Sequence, residues 1–220
     1  MFFVLSNRWN MEGIIREACV ETLEQCQRAE ALGADRLELC ARLDLGGTTP
    51  DWQLVKQVLE AVQIPVKVMI RPRGGDFVYT EREAAQMKES IARFLSLGVP
   101  EFVTGMLTPE HQIDLPLLHT LCAAAAGRPV TFHKAIDEVP DMEAAVEQLK
   151  VIPNLKYILT SGGAPTAQEG SSQLRALLKG ASPAITPIAA GSVTKGNLPD
   201  LHQLLAASQY HGRKIVGDLA

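Results

Sequence analysis

Several features that mark whole classes of protein are missing from this chain of 220 residues. No apolar run approaches the ~18 residues of a membrane-spanning helix. The opening Phe2-Phe3-Val4-Leu5 is too short for the apolar core of a signal peptide. No basic tract occurs and the formal net charge is -4, which gives no electrostatic case for nucleic acid. We therefore expect partners that are neither membranes nor nucleic acids.

Cysteine is scarce, and its spacing excludes a common metal motif. The four cysteines include no CxxC pair. In a chain of this size, such cysteines are typical of free thiols in a reducing compartment rather than of a disulfide framework. The cytoplasm is therefore the expected location.

What the chain does contain is a regular alternation of short apolar runs and amphipathic segments. Eight runs are predicted to be strands: Ile15–Cys19, Arg36–Cys40, Val66–Arg71, Phe102–Gly105, Val130–His133, Lys156–Thr160, Ile185–Ala189 and Lys214–Val216. Seven helices are predicted between them: Thr22–Leu32, Asp51–Ala61, Glu81–Leu97, Leu115–Ala126, Met142–Leu149, Ala167–Leu178 and Leu198–Ala207.

Strict alternation of this kind favours a parallel sheet covered by helices. Eight strands make an α/β fold of the (β/α)₈, TIM-type barrel class the leading prediction. An open doubly wound sheet is the alternative, but no GxGxxG or GxxxxGK[ST] motif follows the first predicted strand.

No linker or low-complexity segment divides the chain. We predict a single domain over residues 14–220, preceded by an N-terminal extension of residues 1–13. The last predicted strand ends at Val216, which leaves no room for an eighth helix before Ala220. Apolar strand surface would then need cover from a partner subunit or from residues 1–10. We therefore expect a homo-oligomer.

Alternation along a barrel strand separates residues that face the helices from residues that face the interior. Leu37 and Leu39 suit the helix layer, which turns Glu38 and Cys40 inward. The first strand repeats this Glu-x-Cys spacing in Glu17-Ala-Cys19. If the two registers match, the two thiols and the two carboxylates form adjacent pairs near the carboxyl ends of the strands.

Cations and an imidazole are expected to face the same interior. Lys67 and Arg71 point inward on the third strand, and His133 does so on the fifth. Active sites of such barrels form at the carboxyl ends of the strands. We therefore predict Glu38, Arg71 and His133 as catalytic candidates, with His133 as acid or base. The alternative is a satisfied ionic network with two inert thiols. The remaining histidines have no ligand-like spacing, and no role is assigned to His111, His119, His202 or His211.

Loops after three of the predicted strands suit an anionic ligand. Glycine-rich turns let backbone N–H groups approach a ligand, and loops near strands seven and eight of such barrels often hold phosphate. Gly-Ser turns are also ordinary connectors between a strand and a helix. The predicted binding residues, including one lysine after the fifth strand, are Arg73, Gly74, Gly75, Asp76, Lys134, Ser161, Gly162, Gly191 and Ser192.

Together these motifs resemble the CutC family, whose members are named for copper homeostasis. The resemblance runs from Ile15 to about Val216. It rests on Glu17-Ala-Cys-Val20, Gly33-Ala-Asp-Arg-Leu-Glu-Leu-Cys40, Gly46-Gly-Thr-Thr-Pro50, Met69-Ile-Arg-Pro-Arg-Gly-Gly-Asp-Phe-Val-Tyr79, Thr131-Phe-His-Lys-Ala-Ile-Asp137 and Leu159-Thr-Ser-Gly162. It implies a cytoplasmic barrel and Cu(I) binding through Cys19 and Cys40.

Two positions depart from the pattern of that family. Lys134 stands where arginine is usual, and Ile136 stands where phenylalanine is usual. Lysine keeps the positive charge but loses the bidentate fork that suits carboxylate or phosphate.

The residues leave two leading functions open, besides a regulatory or scaffold barrel without turnover. In the first, Cys19 and Cys40 hold Cu(I), because soft thiolates select this ion and no other soft group is expected inside the barrel. In the second, the barrel is an enzyme for a small anionic or phosphorylated metabolite. Arg71 and Arg73 would then clamp the anion, while Glu38 or Cys40 assists His133.

Overall fold

The structure is a computed structural model that describes residues 13–181 and 183–220. Nearly all of the predicted N-terminal extension lies outside the described residues. Eight strands are described: β1 (Ile15–Val20), β2 (Arg36–Leu39), β3 (Val66–Met69), β4 (Glu101–Thr104), β5 (Val130–Phe132), β6 (Leu155–Thr160), β7 (Thr186–Ala189) and β8 (Gln209–Gly212). Seven α-helices are described: α1 (Leu23–Ala31), α2 (Trp52–Ala61), α3 (Glu81–Ser96), α4 (Leu115–Ala124), α5 (Met142–Leu149), α6 (Ser171–Ala181) and α7 (Leu198–Leu205).

The strands pair in sequence order and close into an all-parallel barrel, in which β8 returns to pair with β1. The predicted (β/α)₈ architecture is confirmed. Two short 3₁₀ helices follow strands at the carboxyl end of the barrel, at Leu43–Leu45 after β2 and at Lys134–Glu138 after β5. No described helix is long and apolar enough to cross a membrane.

Residues of two kinds alternate along each strand, as the period of a barrel strand requires. Leu37, Val68 and Phe132 pack in the large apolar core that also includes the inner faces of the helices. Their neighbours Glu38 and Lys67 are buried polar residues. The main core therefore lies between the barrel and the helices, while the barrel interior contains these polar residues and two smaller apolar clusters.

The predicted eighth strand, Lys214–Val216, is wrong. The strand is Gln209–Gly212, and Lys214 makes only an isolated bridge with Thr194. In β8 the apolar position is Tyr210, which is fully buried and accepts a hydrogen bond from the Ala207 N–H at 3.0 Å. Polar residues flank it, so the strand contains no apolar run.

After β8, the described residues 213–220 form turns and no helix. Ile215, Val216 and Leu219 are nevertheless buried in the core cluster. The Asp218 carbonyl accepts a hydrogen bond from Arg28 Nε on α1 at 3.0 Å. This segment supplies apolar contacts of its own, whereas the predicted cover from residues 1–10 lies outside the described residues.

Candidate functional site

A cavity of about 790 Å³ opens at the carboxyl ends of the strands. Its walls bring together Cys19, Glu38, Arg71 and His133. Cys40 lies in the same buried cluster as Cys19, behind the wall. The volume falls in the range of roughly 300–1,000 Å³ that is usual for small-molecule sites.

Cys19 lies on β1 and Cys40 directly follows β2, but the two strands do not pair in the register that would bring thiol opposite thiol. β1 and β2 pair Cys19 with Glu38 and Glu17 with Arg36. A shift of two residues thus places a carboxyl group, rather than a thiol, opposite Cys19. The Sγ atoms of Cys19 and Cys40 still lie 3.4 Å and 3.6 Å from Oε2 of Glu38, and these three groups lie within 4.8 Å of one another.

The two thiols differ in how readily they lose a proton. A hydrogen bond from Cys40 lowers the pKa of Cys19 well below its ordinary value, against the effect of burial, and His211 lowers it further. The hydrogen bond to Cys19, together with burial, raises the pKa of Cys40 well above its ordinary value. Their environment therefore favours a thiolate beside a thiol.

His211 faces inward on β8 and completes this side of the cavity. Its Nδ1 lies 2.8 Å from Oε1 of Glu17, and its Nε2 lies 3.6 Å from Oε2 of Glu38. Burial acts to lower the pKa of His211, but Glu38, Cys19 and Glu17 raise it well above its ordinary value. Burial raises the pKa of Glu38 to about 8, although His211 acts against this.

A closed ionic network lies directly below the cavity. Oε2 of Glu17 accepts a hydrogen bond from Arg36 Nε at 2.5 Å and lies 3.2 Å from Lys67 Nζ. The fully buried Lys67 also donates to Thr131 Oγ1 at 2.8 Å. Burial acts to raise the pKa of Glu17, but Lys67, His211 and Arg36 hold it well below its ordinary value. The sequence left open a satisfied ionic network in place of a functional site. Such a network exists, and it lies beneath the candidate site.

Arg71 lies in the cavity wall, but most of its donors are used by the protein. Nη1 donates to the carbonyl oxygens of Leu45 and Gly47 at 3.1 Å and 3.0 Å, and Nη2 donates to that of Gly75 at 2.7 Å. The guanidinium carbon lies 4.8 Å from the centre of the Phe77 ring. Arg71 therefore ties two loops together and brings a positive charge to the cavity, without offering a free bidentate fork.

His133 follows β5 and is buried in the cavity wall. Its Nδ1 accepts a hydrogen bond from the Ala135 N–H at 3.1 Å, and its Nε2 is buried without a hydrogen-bond partner among the described residues. Burial and the charge of Arg71 lower the pKa of His133 to about 3. Such a ring stays neutral at physiological pH, which disfavours the predicted acid–base role.

Lys134 lines the cavity beside Asp137, which sequence reasoning left without a role. The Asp137 carboxylate accepts hydrogen bonds from Lys134 Nζ at 2.5 Å and from the Thr160 hydroxyl at 2.5 Å. Burial acts to raise the pKa of Asp137, but Lys134 and the Thr160 hydrogen bond lower it. Asp137 therefore joins the segment after β5 to the end of β6.

Ser161 and Gly162 do not line the cavity. The Ser161 N–H donates to Asp137 at 3.1 Å, and the Ser161 hydroxyl is hydrogen-bonded to Lys134 Nζ. Gly162 passes so close to the chain that an added Cβ would lie 2.4 Å from the Gly170 carbonyl oxygen. Both residues hold the loop in place, and their predicted contact with a ligand stays a prediction.

The loop after β3 divides into two parts. Gly75 lines the cavity, whereas Arg73 donates to Glu83 at 2.6 Å and to Asp76 at 2.9 Å outside it. An added Cβ at Gly74 would lie 2.9 Å from the Cβ of Leu45. The structure therefore does not bring Arg73, Gly74 and Asp76 to the cavity, so they do not join Arg71 in a clamp.

Gly191 and Ser192 form part of the wall after β7, as a binding role requires. Gly191 has φ +100°, and an added Cβ there would lie 2.8 Å from the Cβ of Ser161. Only glycine permits this close approach of the two loops. Anion binding by this turn stays a prediction.

Met69 on β3 is a soft group that the sequence prediction left out. It packs with Cys19 and Cys40 in one buried cluster and lines the cavity. The expectation that no other soft group faces the interior is therefore wrong. Strand alternation contained the signal, because Met69 falls in phase with Lys67 and Arg71.

Comparison with known proteins agrees with this architecture. A model of the CutC family matches residues 14–216. A human protein named "Copper homeostasis protein cutC homolog" is 41% identical over 199 residues, which cover 90% of this chain and 72% of the human protein. A protein of Histophilus somni named as family protein CutC is 39% identical over 195 residues, with coverages of 89% and 80%.

A crystal structure of a copper homeostasis protein CutC from Streptococcus agalactiae superposes with a TM-score of 0.87. The two sequences are 35% identical, and the alignment covers 92% of this chain and 99% of that chain. The family model, the relatives and the shared barrel agree over nearly the whole described chain. This chain belongs to the CutC family.

Proposed function

We propose that the protein serves copper homeostasis by binding Cu(I) between Cys19 and Cys40. The observation that carries this proposal is the clustering of two buried thiols and Glu38 within 4.8 Å of one another. Metal–sulfur bonds are about 2.3 Å in zinc sites, so two sulfur atoms at such a separation can both reach one ion. Soft thiolates suit Cu(I) better than harder divalent ions.

The surroundings of the two sulfur atoms suit this ion. Met69 adds a thioether, a further soft group, and Leu43 and Val103 complete the buried cluster. The lowered pKa of Cys19 reduces the competition between protons and the metal for its sulfur. Cu(I) would then occupy a site shielded from water at the base of the cavity.

The relatives support the same role, since the human protein is named for copper homeostasis. All four cysteines are free and buried. Free thiols persist in a reducing compartment, and we place the protein in the cytoplasm on that ground.

A competition assay with a chromogenic Cu(I) chelator under anaerobic conditions tests the proposal. Cys19→Ser/Cys40→Ser should leave Cu(I) with the chelator, because neither hydroxyl replaces a thiolate. The matched control is Cys26→Ser/Cys122→Ser, which changes two buried thiols on α1 and α4 whose pKa burial raises to about 12. This control should take up Cu(I) like the parent.

The same assay compares how much the thioether of Met69 and the two thiols each contribute to Cu(I) affinity. Met69→Leu should weaken Cu(I) binding less than loss of either thiol, because a neutral thioether is the weaker ligand. Unchanged uptake by a folded Cys19→Ser/Cys40→Ser protein, with near-ultraviolet circular dichroism like that of the parent, would refute the thiolate site.

A second candidate function is catalysis on a small anionic or phosphorylated metabolite. The observation that favours it is the cavity of about 790 Å³, far larger than a bare ion needs. Turnover of phosphorylated and carboxylated metabolites by the metal-free protein tests this reading. Activity that persists in Cys19→Ser/Cys40→Ser would separate it from copper binding, and a complete absence of turnover would count against it.

We also propose self-association near the space that an eighth helix would fill. Leu32 at the end of α1 and Leu204 on α7 are 41% and 40% exposed, and a second copy of the chain would bury them. Sedimentation velocity at micromolar concentration should show an oligomer that Leu32→Glu/Leu204→Glu weakens. A parent protein that sediments only as a monomer would contradict this.

A further inference from the structure

Three contacts hold the His133 ring in one orientation. The Ala135 N–H donates to Nδ1 at 3.1 Å, and the Phe77 ring lies 4.9 Å away between ring centres. Gly105, directly after the neighbouring strand β4, leaves the space that the ring occupies, since an added Cβ there would lie 2.3 Å from Nδ1. The ring is therefore positioned by packing and by a backbone hydrogen bond.

This geometry also fixes the tautomer. A ring nitrogen that accepts a hydrogen bond carries no proton, so a neutral imidazole must place its proton on Nε2. Nε2 of His133 is buried and has no hydrogen-bond partner among the described residues. A buried donor without a partner is costly, which points to a ligand that accepts from it.

The charge around His133 indicates what kind of ligand that is. The guanidinium carbon of Arg71 lies 4.8 Å from the centre of the Phe77 ring, which also packs against His133, so Arg71 brings a positive charge close to this histidine. Lys134 brings a second charge, largely balanced by Asp137 at 2.5 Å. A small anion is favoured, and the N–H groups of His133 Nε2 and Arg71 Nε are buried there without a hydrogen-bond partner among the described residues.

We propose that His133 donates its Nε2–H to a carboxylate or carbonyl oxygen of a small organic acid bound in the cavity. A phosphate group presents more charge and more acceptor oxygens than these two N–H groups can satisfy, because both Nη atoms of Arg71 donate to carbonyl groups. The proposal rests on the second candidate function only in placing a small anion in the cavity. It requires no turnover and no thiolate.

The test uses the metal-free full chain with ¹⁵N-labelled histidine, and pyruvate and inorganic phosphate as probes. Long-range ¹H–¹⁵N spectra should show His133 as the neutral Nε2–H tautomer. Pyruvate should shift the Nε2 resonance in a saturable way, and phosphate should not. His133→Phe keeps an aromatic ring but removes the donor, so pyruvate binding, measured by calorimetry, should weaken about tenfold or more.

Further variants separate donation from packing. His133→Gln keeps an N–H donor and should restore part of the affinity that His133→Phe loses. Cys26→Ser/Cys122→Ser, which changes two thiols that do not line the cavity, should bind pyruvate like the parent. The protein is metal-free in this test, so failure of the copper proposal leaves the result intact. A ring protonated on Nδ1, equal pyruvate binding by folded His133→Phe, or a response to phosphate alone would each overturn the proposal. If His133→Phe does not fold, the parent spectra still decide.

Discussion

The barrel interior contains two polar layers that behave differently. In the lower layer, Glu17, Arg36, Lys67 and Thr131 satisfy one another through contacts of 2.5 to 3.2 Å. Glu101 lies at the edge of this layer, with Oε2 3.9 Å from Lys67 Nζ, and this oxygen is the one atom of the layer that is buried without a hydrogen-bond partner among the described residues. The lower layer therefore uses its charges internally.

The upper layer, at the cavity, leaves buried polar atoms without partners. Among the described residues these atoms include Oε1 of Glu38, Nε of Arg71 and Nε2 of His133. Buried polar groups are almost always hydrogen-bonded in folded proteins, so unpaired atoms gathered around one cavity point to binding. The same residue types therefore stabilise the lower layer and remain available to a ligand in the upper layer.

Loss of charge in the lower layer should give the largest effect on stability. Lys67→Met removes a fully buried cation from Glu17 and should cost about 3–5 kcal/mol of unfolding free energy, because breaking a buried pair leaves an uncompensated charge. Chemical denaturation at neutral pH measures this.

The matched control for that variant is Lys56→Met. Lys56 pairs with Glu60 at 3.9 Å on the surface, with its side chain 56% exposed, and its loss should change stability by no more than about 0.5 kcal/mol. If the two substitutions lower the unfolding free energy by equal amounts, the lower layer does not differ from ordinary surface charge.

Lowering the pH should destabilise the folded chain, because His133 in the upper layer is buried as a neutral ring. Its pKa is about 3 in the folded chain against an ordinary 6.5, so the unfolded chain binds more protons between these values and stability falls as pH drops from 6.5. By linkage this group should cost about 3 kcal/mol by roughly pH 4. Denaturation curves of the parent and of His133→Phe should therefore converge towards low pH.

The control for the acid experiment is His119→Phe, since His119 is exposed on α4. This variant should keep the acid dependence of the parent. If His133→Phe also keeps the acid dependence of the parent, the imidazole is not held neutral in the fold. The contrast between the two layers would then lose its main support in the upper layer.

Packing against His133 should give a smaller effect. Gly105→Ala places a Cβ where Nδ1 of His133 lies and should cost about 1–3 kcal/mol through overpacking, together with weaker pyruvate binding. Gly180→Ala on α6, with nothing within 4 Å of an added Cβ, should instead stabilise by up to about 1 kcal/mol. A neutral Gly105→Ala would show that the ring moves freely.

Much of the fold followed from local pattern. The seven helices and the first seven strands were predicted close to their observed positions, because each outward strand face is an apolar run. The eighth strand failed because Gln209, His211 and Gly212 flank a single aromatic, Tyr210, and carry no such run. Misplacing β8 also hid His211, whose inward position depends on that register.

The membership of the candidate site was predictable in part, and its pairing was not. The ends of the predicted strands placed Cys19 and His133 at one cavity. The register shift between β1 and β2, which sets Cys19 opposite Glu38, depends on barrel closure and not on either strand alone. Hydrogen bonding was equally hidden, since the donors of Arg71 go to carbonyl groups of loops. Sequence spacing indicates some of the groups that meet, and packing decides which groups reach the cavity and which of them stay unpaired.

The smallest effect is expected at Lys134. Its side chain is 44% exposed and its Nζ meets Asp137 at 2.5 Å. Lys134→Arg keeps the charge and should change stability by no more than about 0.5 kcal/mol, whereas Lys134→Met should cost up to about 1 kcal/mol because the pair is screened by water. Chemical denaturation of both variants measures the difference. If Lys134→Arg lowers the unfolding free energy as much as Lys134→Met does, the site requires the compact ammonium group that also reaches the Ser161 hydroxyl. This part of the cavity wall would then resemble the lower layer, whose charges are satisfied internally.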